Sequence, residues 1–260
     1  MRFLRFALPV FITCLIVPVR AQETLQRDPH AVQILTQSSL LMGGAQKGAV
    51  VDIRVEGTLA NPGAPDTPIG TFVASARGHD FAVDMTQQGE VNSYRVINGK
   101  GSVKRKDGIK PLRPYQTSGL SLDILPLFAR WSEFADAKAQ VGRVETITLD
   151  GVRCHRVLVT NETTSEDSIR NNEHDKQEVL IDETSGLVAA IRYTATQGPY
   201  VQDKVLIENR FSQYRFFGGF LLPSRITRYI SGEPRVVLQV GSVRFNAGLT
   251  DQDFQNRGER

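Results

Sequence analysis

The chain has 260 residues, with 31 basic and 28 acidic side chains and a formal charge of +3. Arg2, Arg5 and Arg20 are the only charged residues among the first 21, so the remainder balances at 28 of each sign. A neutral remainder excludes a general electrostatic grip on nucleic acid, which needs a persistent basic surface.

Arg2 and Arg5 open the chain, residues 6–17 are almost unbroken apolar sequence, and Val19-Arg20-Ala21 ends the run with small residues. This layout predicts a cleavable secretory signal over residues 1–21, with an apolar run too short to span a bilayer well. Cys14 is not expected to carry lipid, because Thr13 precedes it and Leu15, Ile16 and Val17 continue the apolar run. The mature chain is therefore expected to be soluble and exported, periplasmic or secreted. Of the cysteines only Cys154 survives cleavage, so no intramolecular disulfide is expected despite the oxidising destination. Cys154 lies in an alternating run, where it reads as a buried strand residue, with His155 pointing to the opposite face.

A helix opens the mature protein. Asp28 is a good N-cap, Pro29 suits the first helical position, and Ala31, Ile34, Leu35, Ser38 and Leu41 or Met42 share one face before Gly43-Gly44 stops it. Val51, Ile53, Val55, Gly57 and Leu59 then alternate with polar residues, which marks a half-buried strand. Residues 61–66 read as a turn or loop, followed by strands near 69–76, 79–86, 91–97 and 101–106. Asn98-Gly99 and Asp107-Gly108 are the strongest hairpin signals, so neighbouring strands should form an antiparallel meander.

Apolar residues recur at helical spacing over 120–137, and Pro126 places a helix near 126–137 that carries Trp131, the only tryptophan. Strands resume near 143–149, 152–160, 175–182, 187–196, 203–216, 220–230 and 235–245, with a polar stretch over 161–172. About a dozen long antiparallel strands in one domain should curl into a barrel, half-barrel or sandwich. The expected division is a signal over 1–21, a single β domain over 22–254 and a disordered tail over 255–260.

Chemistry is sparse. His30, His79, His155 and His174 are too far apart for zinc spacing, and Glu173-His174-Asp175 is the one local cluster of histidine and acid. No nucleophile elbow, phosphate loop or dinucleotide fingerprint occurs, so no catalytic, cofactor or metal residue is assigned. Lys104, Arg105 and Lys106 form one dense basic cluster, read either as a solvated loop protecting a sheet edge or as a docking patch for an acidic partner or anionic headgroups.

The last third carries a further signal. Tyr214, Gly219, Leu222, Pro223 and Ile226 make a Tyr-x-x-x-x-Gly-x-x-Leu-Pro-x-x-Ile pattern. Val243, Asn246, Leu249, Asp251 and Phe254 make Val-x-x-Asn-x-x-Leu-x-Asp-x-x-Phe. With the acidic turn at Asp182-Glu183-Thr184-Ser185-Gly186 and the opening helix, this resembles the periplasmic lipoprotein-carrier superfamily, the LolA/LolB-like proteins. The resemblance implies a mainly β fold: a curled antiparallel sheet forming an unclosed half-barrel, with an N-terminal helix and the 126–137 helix as a lid. It implies a non-enzymatic protein whose apolar hollow takes lipid, acyl groups or an acylated protein, with transient membrane contact and no cofactor. Candidate lining residues are Ile34, Leu35, Leu127, Phe128, Trp131 and Phe134. The alternatives are an envelope interaction module with a filled core, and a hydrolase whose site is assembled in space.

Overall fold

The computed structural model describes residues 27–44, 48, 50–78, 80–112, 140–160, 176–196 and 204–255. The expected signal, the 126–137 helix and the polar 161–172 stretch lie outside these residues.

Helix α1 (Pro29–Leu41) forms where its stripe predicts. The Asp28 carboxylate accepts the His30 and Ala31 backbone N–H groups at 2.8 and 3.2 Å, satisfying donors that the first turn leaves unpaired. Gly43 adopts a φ of +93° and its N–H donates to the Leu40 carbonyl, which ends the helix. Ala31, Ile34, Leu35 and Ser38 are buried, and Met42 rather than Leu41 extends the stripe.

Among the described residues thirteen strands make one antiparallel sheet. They are β1 (Asp52–Asn61), β2 (Ala64–Arg77), β3 (Asp80–Gln87), β4 (Glu90–Ile97), β5 (Lys100–Arg105), β6 (Gly108–Pro111), β7 (Gln140–Leu149), β8 (Val152–Thr160), β9 (Lys176–Asp182), β10 (Val188–Thr196), β11 (Lys204–Phe217), β12 (Phe220–Ile230) and β13 (Glu233–Phe245). The spatial order runs β6-β5-β4-β3-β2-β1-β13-β12-β11-β10-β9-β8-β7. Two meanders thus meet where β1 pairs with β13, from Ile53 opposite Phe245 to Ala60 opposite Val237. Among the described residues the sheet does not close, as expected of a half-barrel, and β6 and β7 are its edges.

Five two-residue turns, Gln88-Gly89, Asn98-Gly99, Asp150-Gly151, Gly218-Gly219 and Ser231-Gly232, have positive φ at both residues. Type I′ hairpins require this, since their twist matches that of the flanking strands. Two expectations shift. Residues 61–66 are not all loop, because β2 begins at Ala64. The β1–β2 register slips around Ala60, which absorbs Pro65 and Pro68 without breaking the pair. At Asp107-Gly108 the central turn residues are Lys106 and Asp107, and Gly108 opens the additional strand β6.

Strand alternation gives the sheet two faces. Ile53 and Val55 of β1, Phe72 of β2, Val83 of β3, Val157 of β8, Val179 of β9, Ile191 of β10, Ile226 of β12 and Leu238 of β13 join α1 in one apolar cluster. This is the inner face. Gly57 is required there: a Cβ would lie 2.6 Å from the Phe72 ring and 2.1 Å from the Gln239 carbonyl oxygen, where the β1–β13 register shifts.

The C-terminal motif works as a clasp. The buried Asp52 carboxylate accepts the Ala247 and Leu249 N–H groups, while Asn246 Oδ1 accepts the Val51 N–H at 2.8 Å. Helix α2 (Asp251–Phe254), not anticipated, then packs Leu249 and Phe254 on Ala82, on the outer side of β3. Arg77 pairs with Asp251 and lies over the Phe254 ring.

Candidate functional site

The inner face is the candidate site, and its strands set its chemistry. A row of directly opposed residues crosses it: Val141, Val159, Gln177, Tyr193 and Ile207, on β7 to β11. All five are buried. The next row places Val157, Val179, Ile191, Asn209 and Arg228 side by side. The face is thus aliphatic with a few polar groups set into it.

Of the predicted lining residues, Ile34 and Leu35 are buried in the inner cluster at 8% and 3% exposure, against the sheet rather than free of it. Leu127, Phe128, Trp131 and Phe134 lie outside the described residues. Sequence reasoning missed Gln177, Tyr193 and Asn209. The signal was present, because Gln177 is in phase with Val179 and Ile181, and Asn209 with Ile207 and Phe211, all apolar.

Lys104, Arg105 and Lys106 sit where β5 turns into the edge strand β6. Lys106 Nζ pairs with Glu90 at 3.4 Å, and Lys110 pairs with Asp107, so acids are interleaved with the cations. Lys104 lines an outer-face groove of 380 Å³ with Arg54, Val73, Asp84 and Val91.

The outer face of the second meander carries an alternating ladder of charge. Glu145 pairs with Arg156, Arg156 with Glu178, Glu178 with Arg192, Arg192 with Glu208 and Glu208 with Arg210, which also holds Asp150 and stacks over the Tyr229 ring at 4.0 Å. A 410 Å³ groove beside it is lined by Leu149, Asp150, Ala189, Phe211 and Arg210, whose charges are already matched.

Chemistry that could turn over a substrate is thin among the described residues. His155 Nδ1 lies 3.6 Å from Glu183, but the nearby Thr146 hydroxyl donates to Glu183 rather than facing the imidazole. Cys154 lies with Leu149, Leu180 and Ala190 in a cluster apart from the inner one, and burial, reinforced by the Asp182 and Glu183 charges, raises its thiol pKa. Among the described residues no three His, Cys, Asp or Glu side chains gather as a metal site.

The tail motif is structural throughout. Tyr214 opposes Pro223 and donates its hydroxyl to the Val188 carbonyl at 2.6 Å, and burial raises its pKa far above that of an ordinary phenol. Ser224 donates to the Gln213 carbonyl, next to the proline that has no N–H to give.

No family model and no curated protein sequence matches the chain. Solved structures do. A DUF1329 family protein from Desulfovibrio piger superposes with a TM-score of 0.54 at 12% identity, over 89% of this chain and 98% of that one. A LolA superfamily protein from Nitrosomonas europaea gives 0.52 at 13% identity, over 87% and 97%. The fold is LolA-type. A putative outer membrane lipoprotein-sorting protein domain from Vibrio parahaemolyticus gives 0.51 at 13%, over 87% and 96%. In this LolA-type sheet α1 and the main apolar cluster share one side.

Proposed function

We propose that this protein is an exported, non-enzymatic binder of lipid or acyl groups that takes its ligand on the hollow side of the sheet. The observation that carries the reading is the inner face itself: a broad apolar cluster drawn from both meanders and overlaid by α1, in a LolA-type sheet. Such a surface is complementary to an alkyl chain, which gains by leaving water. One structural neighbour is described as a lipoprotein-sorting protein domain, and this supports an envelope setting for the present chain. Residues 1–21 act as the export signal and 22–254 as one domain in this reading, and Leu127, Phe128, Trp131 and Phe134 join Ile34 and Leu35 around the chain. Lys104, Arg105 and Lys106 supply contact with an acidic partner or anionic headgroups.

The test is a titration of the processed protein, stripped of lipid, with a fluorescent fatty acid. Saturable binding displaced by unlabelled acyl lipid is the expected result, and absence of binding by folded protein overturns the reading. A second reading, an envelope interaction module with a filled core, is favoured by one observation: the inner-face residues are already almost completely buried. In that case the titration is flat while the protein remains folded.

A further inference from the structure

Gln177 does not fit the face on which it lies. It is 1% exposed, with Val159 opposite it on one side and Tyr193 on the other, in phase with Val179 and Ile181. Among the described residues neither its amide oxygen nor its amide nitrogen has a hydrogen-bond partner. A primary amide out of water and without partners is a costly group at an inward strand position, where valine or leucine would pack without loss. The neighbouring outward residue, Glu178, is by contrast matched to two arginines.

We infer that Gln177 is the polar anchor of the inner-face site, and that the acyl chain taken there ends in a primary carboxamide. The inference rests on the lipid-binding reading and deepens it by naming the ligand class. A carboxamide side chain offers one acceptor and a pair of donors. A primary amide presents the complement on one edge, a carbonyl for Nε2 to donate to and a syn N–H for Oε1 to accept. An ester satisfies only the nitrogen and leaves Oε1 unmet, and an alkane satisfies neither. A charged head is poorly matched to Gln177 and would be drawn to Arg228, three strands away on β12. The aliphatic row on either side of Gln177 receives the chain.

The experiment uses the processed, lipid-stripped protein and three probes of equal chain length: a primary fatty amide, the methyl ester of the same acid, and the alkane. Each is measured by displacement of a fluorescent acyl probe, on wild type and on Gln177→Leu. In wild type the amide is expected to bind about tenfold more tightly than the ester, the size of one well-made buried hydrogen bond. The ester in turn exceeds the alkane. In Gln177→Leu the three converge on the alkane value. Equal affinities in wild type, or an amide preference that survives Gln177→Leu, overturn this inference while leaving acyl binding intact. Failure of all three probes on folded wild type removes the lipid-binding reading and this inference with it. Should Gln177→Leu not fold, Gln177→Met serves in its place, and the amide-to-ester ratio of wild type decides alone.

Discussion

On β9, Gln177 and Glu178 are consecutive residues on opposite faces, and their surroundings could hardly differ more. Glu178 is one rung of a ladder that runs from Glu145 to Arg210, in which carboxylates and guanidinium groups alternate. Gln177 is walled by aliphatic and aromatic neighbours and has no hydrogen-bond partner among the described residues. The outer face meets its own polar needs from within the sheet, whereas the inner face is built to exclude water. The difference separates a face whose charges are matched within the sheet from the core face on which the proposed ligand would lie.

Substitutions should respect this division. The largest effect is expected for Ile191→Asp, which places an unpaired carboxylate at a fully buried inner position. Loss of more than about 4 kcal/mol, enough to unfold a marginal domain, should appear in urea denaturation. Gly57→Ala comes next, since the added methyl meets both a carbonyl oxygen and the Phe72 ring. A loss of about 3 kcal/mol is expected by the same measurement. On the outer face, Arg192→Met removes one of the two arginines that pair with Glu208, and about 1–3 kcal/mol should go with it.

The turn after β9 gives a pH handle. Burial alone would raise the Asp182 pKa, but hydrogen bonds from the Thr184 N–H and the Ser185 hydroxyl and N–H outweigh it and hold the carboxyl below its ordinary value. A depressed folded pKa contributes stability that is present above the unfolded carboxylate pKa and lost as pH falls through the folded one. Thermal unfolding of Asp182→Asn should therefore approach wild type in acid and fall below it at neutral pH. The smallest effect belongs to Lys106→Ala, whose ion pair with Glu90 is 84% and 63% exposed. Chemical denaturation should register a change within about 0.5 kcal/mol.

Much of this fold was legible in the chain. Asn98-Gly99 and Asp150-Gly151 announce their turns because type I′ geometry demands positive φ, and Asp28, Pro29 and Gly43 mark both ends of α1. Other features depend on what strands meet in space. Pro65 and Pro68 argue against a strand locally, yet β2 starts at Ala64 because a slipped register beside Asn61 accommodates them. Helix α2 is only a single turn, and its Asp253 carboxylate accepts from both the Thr250 N–H and hydroxyl, a short capping signal easily taken for a loop. The charge ladder depends on the register of five strands and could not be read from spacing. Gln177 was legible in principle, as a polar residue in an apolar phase, but its lack of partners is a property of the folded face.

The central claim is that the hollow side, and not the laddered side, takes the acyl chain. A fatty acid carrying a photoactivatable group along its chain, crosslinked to the processed protein and mapped by peptide mass spectrometry, tests it most directly. Labels on Val159, Val179, Ile191 or Ile207 are predicted. Labels confined to outward residues such as Leu158, Glu178 or Leu206 would contradict the account.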